Sequence, residues 1–116
     1  MIVANEKKTA AVPINSIEVH EAAMKVLISA DEGWQDHVMR IVELGQNGYS
    51  PKHAHDWPHI NYVVAGSGQL HMDGVDHEME VGAYAFVPEG TVHQFKNTGE
   101  TPFRFICIVP NRGHIV

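Results

Sequence analysis

The sequence predicts a single all-β domain, and three observations support this prediction. The chain has 116 residues, a length that suits one compact domain and is too short for two. Apolar and β-branched residues occur in short runs separated by glycine and proline turns, a pattern typical of sheet proteins. From residue 25 onward, no apolar run keeps a helical period for three turns. A sandwich and a closed barrel both fit, because barrel closure leaves no local mark in the sequence.

The elements follow in order from the N-terminus. Residues 1–24 are weakly patterned and are assigned to an N-terminal arm with one edge strand, and residues 25–116 form the β domain. The segment 45–52 is rich in glycine, asparagine and proline and is interpreted as a loop. Nine short strands are predicted, at 16–20, 25–29, 37–44, 60–65, 69–72, 77–81, 83–87, 92–96 and 103–109.

Charge and composition exclude several classes of function. The formal net charge is −6, and the 8 basic residues are scattered, so a nucleic-acid partner is not expected. No run approaches the roughly 18 apolar residues of a membrane span, and Glu6, Lys7 and Lys8 interrupt the place where a signal peptide would be apolar. The single cysteine, Cys107, fits a reducing compartment. We therefore expect a cytoplasmic protein with no membrane partner.

Nine of the 116 residues are histidines, and four of them are spaced as metal ligands would be. His53 and His55 lie two apart and share a face of an extended chain. His59 follows a Trp-Pro break, and His93 begins a later strand. Imidazole donors select Mn, Fe, Co, Ni, Cu or Zn over Ca and Mg without choosing among them. A chance His-x-His pair on an exposed strand is the competing interpretation.

Two segments resemble the two motifs of the cupin superfamily. The second motif is matched in full, by Gly82, Pro88, Gly90, His93 and Asn97. The first motif is matched at three positions, by His53, His55 and Gly66. It departs in two ways, because only four residues separate Gly48 from His53 instead of five, and His59 stands where the motif has a glutamate.

The resemblance covers roughly residues 25–113 and is closest to small single-domain four-histidine cupins that carry manganese. Their strand segments recur here as Val38-Met39-Arg40 and Phe105-Ile106-Cys107, on either side of the histidine run. The resemblance implies a jelly-roll barrel, or double-stranded β-helix. It also implies one divalent transition metal per chain, with manganese expected first, on His53, His55, His59 and His93. Without the glutamate the site keeps a formal +2 charge, which favours either anionic substrates or a metal of lower valence.

The resemblance also implies which other residues enter the pocket. Arg40 would point inward, where a guanidinium can hold a carboxylate bidentately, although an outward surface arginine fits the pattern equally well. Cys107 and Phe105 would lie inside the barrel, and Arg40 and Cys107 are the candidate catalytic residues, although a buried thiol that only packs is the competing interpretation of Cys107. Asn61 shares the strand parity of His59 and is a candidate substrate contact or ligand-orienting group, and Trp57 would cap the mouth. Tyr84 and Phe86 are expected in the core, and the remaining histidines are expected in solvent, namely His20, His37, His71, His77 and His114.

Three functions remain open, since a fold does not fix a reaction. The first is an oxygen-using oxidoreductase acting on a small, anionic molecule, with two metal positions open for substrate and dioxygen. The second is a Lewis-acid isomerase or lyase acting on a sugar acid or keto acid. The third is a small-molecule binding protein without catalysis. Ile106 and Ile108 point outward on the last strand, and this exposure predicts a homodimer.

Overall fold

A computed structural model describes residues 1–114, which form nine β-strands in one sheet that curls into a nearly closed barrel. The strands are β1 Val12–Pro13, β2 His20–Ile28, β3 His37–Tyr49, β4 His59–Ala65, β5 Ser67–Met72, β6 Val75–Glu80, β7 Tyr84–Val87, β8 His93–Asn97 and β9 Phe103–Pro110. Three 3₁₀ turns complete the described chain, at Glu6–Lys8, Ala30–Glu32 and Asn111–Gly113. The all-β prediction is confirmed. Of the two architectures that the sequence left open, a sandwich and a barrel, the chain adopts the barrel.

The strands pair in the order β6-β5-β8-β3-β9-β4-β7, and β2 and β1 add to β3. Every paired strand runs antiparallel to its neighbour. The long β3 pairs with β9 over eight residues, from His37 opposite Pro110 to Leu44 opposite Phe103. This pairing places the strands predicted at 37–44 and 103–109 at the centre of the fold, where β9 also pairs with β4, the strand that begins at His59.

The N-terminal part differs from the sequence prediction. Residues 16–19 are not a strand. They lie in the connection between β1 and β2, which pair through Val12 and Met24, and the amide of Val19 donates there to the carbonyl of Ser16. The strand β2 therefore begins at His20, inside the segment assigned to the arm. The 25–116 range also ends on two residues, 115 and 116, that lie outside the described chain.

The prediction of a loop at 45–52 is wrong for residues 45–49, because β3 continues to Tyr49. Gly48 allows this extension, since a Cβ there would meet the backbone oxygens of Gly45, Glu21 and His20. With no side chain at Gly48, β2 can cross β3 closely and pair His20 with Tyr49.

The barrel interior is filled by large apolar side chains. Phe103, Phe105, Leu44, Val38 and Val63 are among the fully buried ones. Asn97, at the end of the second motif, joins this interior to the loops, because its side-chain nitrogen donates to the carbonyls of Leu44 (2.9 Å), Gly45 (3.0 Å) and Thr101 (2.9 Å). This buried amide therefore ties β3, at Leu44 and Gly45, to the turn that precedes β9.

Tyr84 and Phe86 are not core residues, and this expectation is wrong. Their side chains are 81% and 59% exposed, whereas Val87 on the same strand is fully buried. Ala85 points inward instead and pairs with Asn61. The alternation of small and large residues on β7 therefore places the small ones inside, packed against the hydrophobic core.

The outer face of strands β7, β4, β9 and β3 carries two rows of apolar side chains. One row runs Phe86, Ile60, Ile108, Met39 and the other runs Tyr84, Tyr62, Ile106, Ile41. At one end of this face, Glu6 of the arm accepts hydrogen bonds from Lys25 (3.2 Å) and from the Arg104 guanidinium. These ion pairs fix the arm to the outside of the sheet. No helix in the described residues has the length and apolar character that crossing a membrane requires.

Candidate metal centre

The barrel encloses a cavity of about 300 Å³. All nine residues that the sequence analysis selected as site residues line it: Arg40, His53, His55, Trp57, His59, Asn61, His93, Phe105 and Cys107. The rest of the wall is largely apolar and includes Met24, Val42 and Phe95. Four residues from the arm close one side, the apolar Ile14 and Val19 and the polar Ser16 and Glu18. The arm has no regular pattern from which these residues could be predicted.

Three histidines lie together in this cavity. His53 and His93 form a short antiparallel bridge in which each amide donates to the other's carbonyl, at 3.1 and 3.0 Å. His55 follows two residues after His53, and one ligand nitrogen each from His53, His55 and His93 lie within 4.8 Å of one another. Three converging imidazoles are a donor set that binds first-row transition metals. These three histidines could therefore hold one metal ion.

Backbone carbonyls fix the protonation of two of these rings. The Nδ1 atom of His55 lies 2.7 Å from the carbonyl oxygen of Trp57, and that of His93 lies 2.9 Å from the carbonyl oxygen of Thr91. A carbonyl oxygen only accepts, so Nδ1 carries the proton in the neutral ring. The Nε2 atom then carries a lone pair that is available to a metal. A metal-ligating histidine usually donates its other ring N–H to an oxygen in this way.

His59 is held in the same way by a side chain. Its Nδ1 lies 2.6 Å from Oδ1 of Asn61, whose amide nitrogen donates to the carbonyl of Ile106 at 3.4 Å. The Ile106 carbonyl orients the amide, and the amide oxygen then requires a proton on Nδ1 of His59. The Nε2 atom of His59 lies 3.2 Å from Nε2 of His93. Two lone pairs at this distance repel each other, and a cation that both nitrogens coordinate removes the repulsion, so the donor set fits a metal.

Burial keeps these imidazoles neutral. It lowers the pKa of His59 to about 3, and the nearby histidines and Arg40 lower the pKa further, whereas the hydrogen bond to Asn61 opposes the shift. Burial is also the main cause of the lowered pKa of His53 and of His93. Since each pKa lies below the ordinary value of 6.5, the three rings are unprotonated at neutral pH, as metal ligation requires.

Arg40 points into the cavity, so the alternative of an outer-surface arginine is excluded. It lies opposite Cys107 on β9, and Cys107 lies opposite Asn61 on β4. The Nη2 atom of Arg40 is 3.8 Å from Sγ of Cys107, and Nη1 is 3.1 Å from Nδ1 of His114. Within residues 1–114, the buried Nε atom has no hydrogen-bond partner. A polar row therefore crosses three strands on the inner face.

Aromatic side chains shape the two ends of the cavity. Trp57 stacks on His55, with ring centroids 4.4 Å apart and planes 5° from parallel. Phe95 stacks on Phe105 with centroids 4.2 Å apart. The first contact supports a candidate metal ligand, and the second forms an apolar part of the wall beside the polar row, since Phe105 and Cys107 lie two residues apart on β9.

The expectation that His114 is in solvent is wrong, because its half-buried ring contacts Arg40. The contact joins residues 74 positions apart, and a lone histidine near a chain end gives no spacing from which to predict it. His37 is also half-buried, stacked on Trp34 with ring centroids 5.1 Å apart. His20 and His77 are exposed, as expected.

Curated proteins match parts of the chain, two of them with a specific name. An oxalate-binding protein of Thermotoga maritima is 32% identical over 50 residues, which are 43% of this chain and 41% of that protein. Protein SchB of Streptomyces halstedii is 30% identical over 60 residues, which are 47% of this chain and 44% of that protein. The matching segment thus spans less than half the length of these curated relatives.

Solved structures match over nearly the whole chain. The polyketide cyclase RemF from Streptomyces resistomycificus is 27% identical and superimposes with a TM-score of 0.89, covering 96% of this chain and 80% of that one. A predicted oxalate decarboxylase from Thermotoga maritima is 22% identical, with a TM-score of 0.85 over 94% of this chain and 98% of that one. The second likeness is one of fold alone.

The family match agrees with the fold and with the histidine cluster. Residues 40–109, well over half of the chain, match the cupin domain family. This span contains the four candidate ligands and all five of the other site residues predicted from the sequence. The protein therefore belongs to the cupin superfamily.

Proposed function

We propose that the protein is a metal-dependent enzyme that acts on a small carbonyl compound carrying an anionic oxygen group and an apolar body. The observation that carries this proposal is the composition of the cavity, which joins converging histidines and an inward arginine to an apolar, aromatic wall. Its volume of about 300 Å³ is at the lower end of the range for small-molecule sites. Such a volume holds a body considerably larger than a two-carbon acid.

We assign the metal to four histidines. His53, His55 and His93 converge, and His59 joins them because its Nε2 lies 3.2 Å from that of His93. Manganese is the ion expected from the resemblance to four-histidine cupins, and Fe, Co, Ni, Cu and Zn suit the same donors. A divalent ion bound there supplies Lewis acidity to a coordinated carbonyl oxygen.

The other side chains bind and orient the substrate. Arg40 offers donors to a carboxylate or enolate oxygen, and a charged donor in a sheltered site binds such oxygens strongly. Phe95 and Phe105 pack against a flat apolar body. Asn61 keeps the lone pair of His59 directed inward, and the buried Cys107 thiol limits the space around Arg40. Residues of the arm, such as Ile14, reduce access of water to the cavity.

Carbonyl chemistry such as ring closure is the reaction class that we favour. RemF is a polyketide cyclase, and its likeness extends over 96% of this chain at 27% identity. The stacked phenylalanines suit the fused rings that such chemistry produces. The oxygen-using oxidation expected from the sequence stays a prediction. Binding of a small dicarboxylate is a second candidate, favoured by the oxalate-binding relative and by the inward direction of Arg40.

Alanine at any one of the four ligand positions should remove the metal. We expect about one metal ion per wild-type chain and a loss of affinity of about tenfold or more in each variant, since even groups that orient a ligand contribute that much. Mass spectrometry of the dialysed protein measures occupancy, and circular dichroism checks that the barrel stays folded. His77→Ala, at an exposed histidine, is the matched control. Full occupancy in His59→Ala would show that the fourth ligand is wrongly assigned.

The substrate class can be tested with two chelating anions. 3-Hydroxy-2-naphthoate presents a carboxylate and a hydroxyl on two fused rings, and oxalate presents carboxylates alone. We expect the metal-loaded protein to bind the naphthoate about tenfold more tightly, because the rings bury apolar surface. Arg40→Ala should weaken binding of both by about tenfold or more, since a hydrogen bond to a charged group contributes ~1.5–3 kcal/mol.

Titration calorimetry separates the possible outcomes of this comparison. Tighter binding of oxalate than of the naphthoate would favour the dicarboxylate candidate over the ring-bearing substrate. Equal binding of either anion with and without Arg40 would contradict the assignment of Arg40 to the anionic group.

We also propose that two copies associate through the outer apolar rows. Ile60, Tyr62, Tyr84 and Phe86 are 47% to 81% exposed and lie side by side, and an apolar patch of this kind marks an interface. Light scattering should give twice the 12.9 kDa mass of one chain. Phe86→Lys should shift the protein to monomer, whereas Val81→Lys, at an exposed valine outside the rows, should not. A wild-type monomer at micromolar concentration would reject the dimer.

A further inference from the structure

The C-terminal segment forms one wall of the cavity. Its 3₁₀ turn, Asn111–Gly113, places the buried Gly113 directly on the Trp57 indole, so that any Cβ at Gly113 would collide with that ring. Arg112 donates to the carbonyl of Asp56 at 3.2 Å. Trp57 in turn stacks on His55. These contacts hold the segment against the loop that carries two of the candidate metal ligands.

His114, the next residue, reaches Arg40 from this wall. Nη1 of Arg40 lies 3.1 Å from Nδ1 of His114. A guanidinium only donates hydrogen bonds, so Nδ1 must be the acceptor, and the neutral ring carries its proton on Nε2. This tautomer is the reverse of the one at His55, His59 and His93, where Nδ1 donates to an oxygen. His114 is therefore suited to accept a hydrogen bond from a cationic group such as the guanidinium, rather than to bind a metal through Nε2.

The contact decides which edge of the guanidinium is left free to donate. His114 occupies Nη1, and the Cys107 thiol lies 3.8 Å from Nη2. The Nε atom is buried and has no hydrogen-bond partner among residues 1–114. Since a thiol is only a weak acceptor, the edge formed by Nε and Nη2 retains most of its capacity to donate. That edge has the fork geometry that binds a carboxylate bidentately.

We propose that His114 is a positioning residue, whose Nδ1 holds the Arg40 guanidinium so that its Nε and Nη2 edge is presented to a carboxylate in the cavity. The inference rests on the proposed function only in assigning Arg40 to the anionic group. It adds that the C-terminal wall helps determine which anions bind, because that wall fixes the direction of the arginine.

Variants of His114 separate the effect of the Nδ1 acceptor on binding from the effect of the size of the ring. His114→Phe keeps a ring of similar size and removes the acceptor, and His114→Asn keeps an acceptor at the position of Nδ1. Asn111→Ala is the matched control, since Asn111 is exposed in the same turn. The probe is 3-hydroxy-2-naphthoate, titrated by calorimetry into the metal-loaded protein, with Arg40→Ala as the reference for complete loss of the guanidinium.

We expect His114→Phe to weaken binding of the probe by about threefold to tenfold, the effect of one hydrogen bond, and Arg40→Ala to weaken it more. His114→Asn should restore affinity to within about twofold of the wild type, and Asn111→Ala should bind as the wild type does. A second readout needs neither metal nor probe. The Arg40 Nε–H resonance of the metal-free protein, identified by its loss in Arg40→Ala, should shift in His114→Phe and return toward its wild-type position in His114→Asn.

Two results would overturn the inference, and a third would overturn the proposed function instead. If Arg40→Ala weakens binding but His114→Phe binds as the wild type does, His114 does not position the arginine. If His114→Asn is as weak as His114→Phe while Asn111→Ala is normal, the acceptor is not the cause. If Arg40→Ala itself binds the probe normally, the anionic group is not held by Arg40, and the proposed function is wrong at that point.

Discussion

The candidate site depends on three oxygen atoms that each require a proton on the Nδ1 atom of a histidine. The carbonyls of Trp57 and Thr91 act on two rings, and the amide oxygen of Asn61 acts on His59. Each neutral ring must then direct its Nε2 lone pair away from that oxygen. Where these lone pairs converge, they repel one another, and together they attract a cation. The buried position of His59 strengthens both effects, since water screens them poorly there.

The same arrangement connects the two ends of the cavity. Asn61, which orients a candidate metal ligand, lies beside Cys107, and Cys107 lies beside Arg40 across adjacent strands. Arg40 then contacts His114 on the C-terminal wall. The polar groups therefore form one row on the inner face of an otherwise apolar barrel. A ligand that spans from the histidines to Arg40 would lie along this row with its apolar part against Phe105.

The sequence predicted the strands and the cavity residues well, for a physical reason. Glycine, proline and histidine at fixed spacings describe local turns and strand parity, and these determine which side chains face inward. It did not predict that Phe86 faces outward, because an alternating strand has no local mark for its inner face. It also missed the contact of His114 with Arg40, because these two residues are 74 positions apart and meet only in the folded barrel. The pairing of His37 on β3 with Pro110 on β9 brings the C-terminal turn to β3, and this register is not visible in the sequence.

The most direct test of the account is a measurement of imidazole tautomers in the metal-free protein at neutral pH. Nitrogen-15 spectra that connect the ring nitrogens to the ring protons distinguish a proton on Nδ1 from one on Nε2. The proposed site requires the Nδ1–H form at His55, His59 and His93 and the Nε2–H form at His114. Nε2–H forms at His59 and His93 would contradict it, because their lone pairs would then point away from the proposed metal.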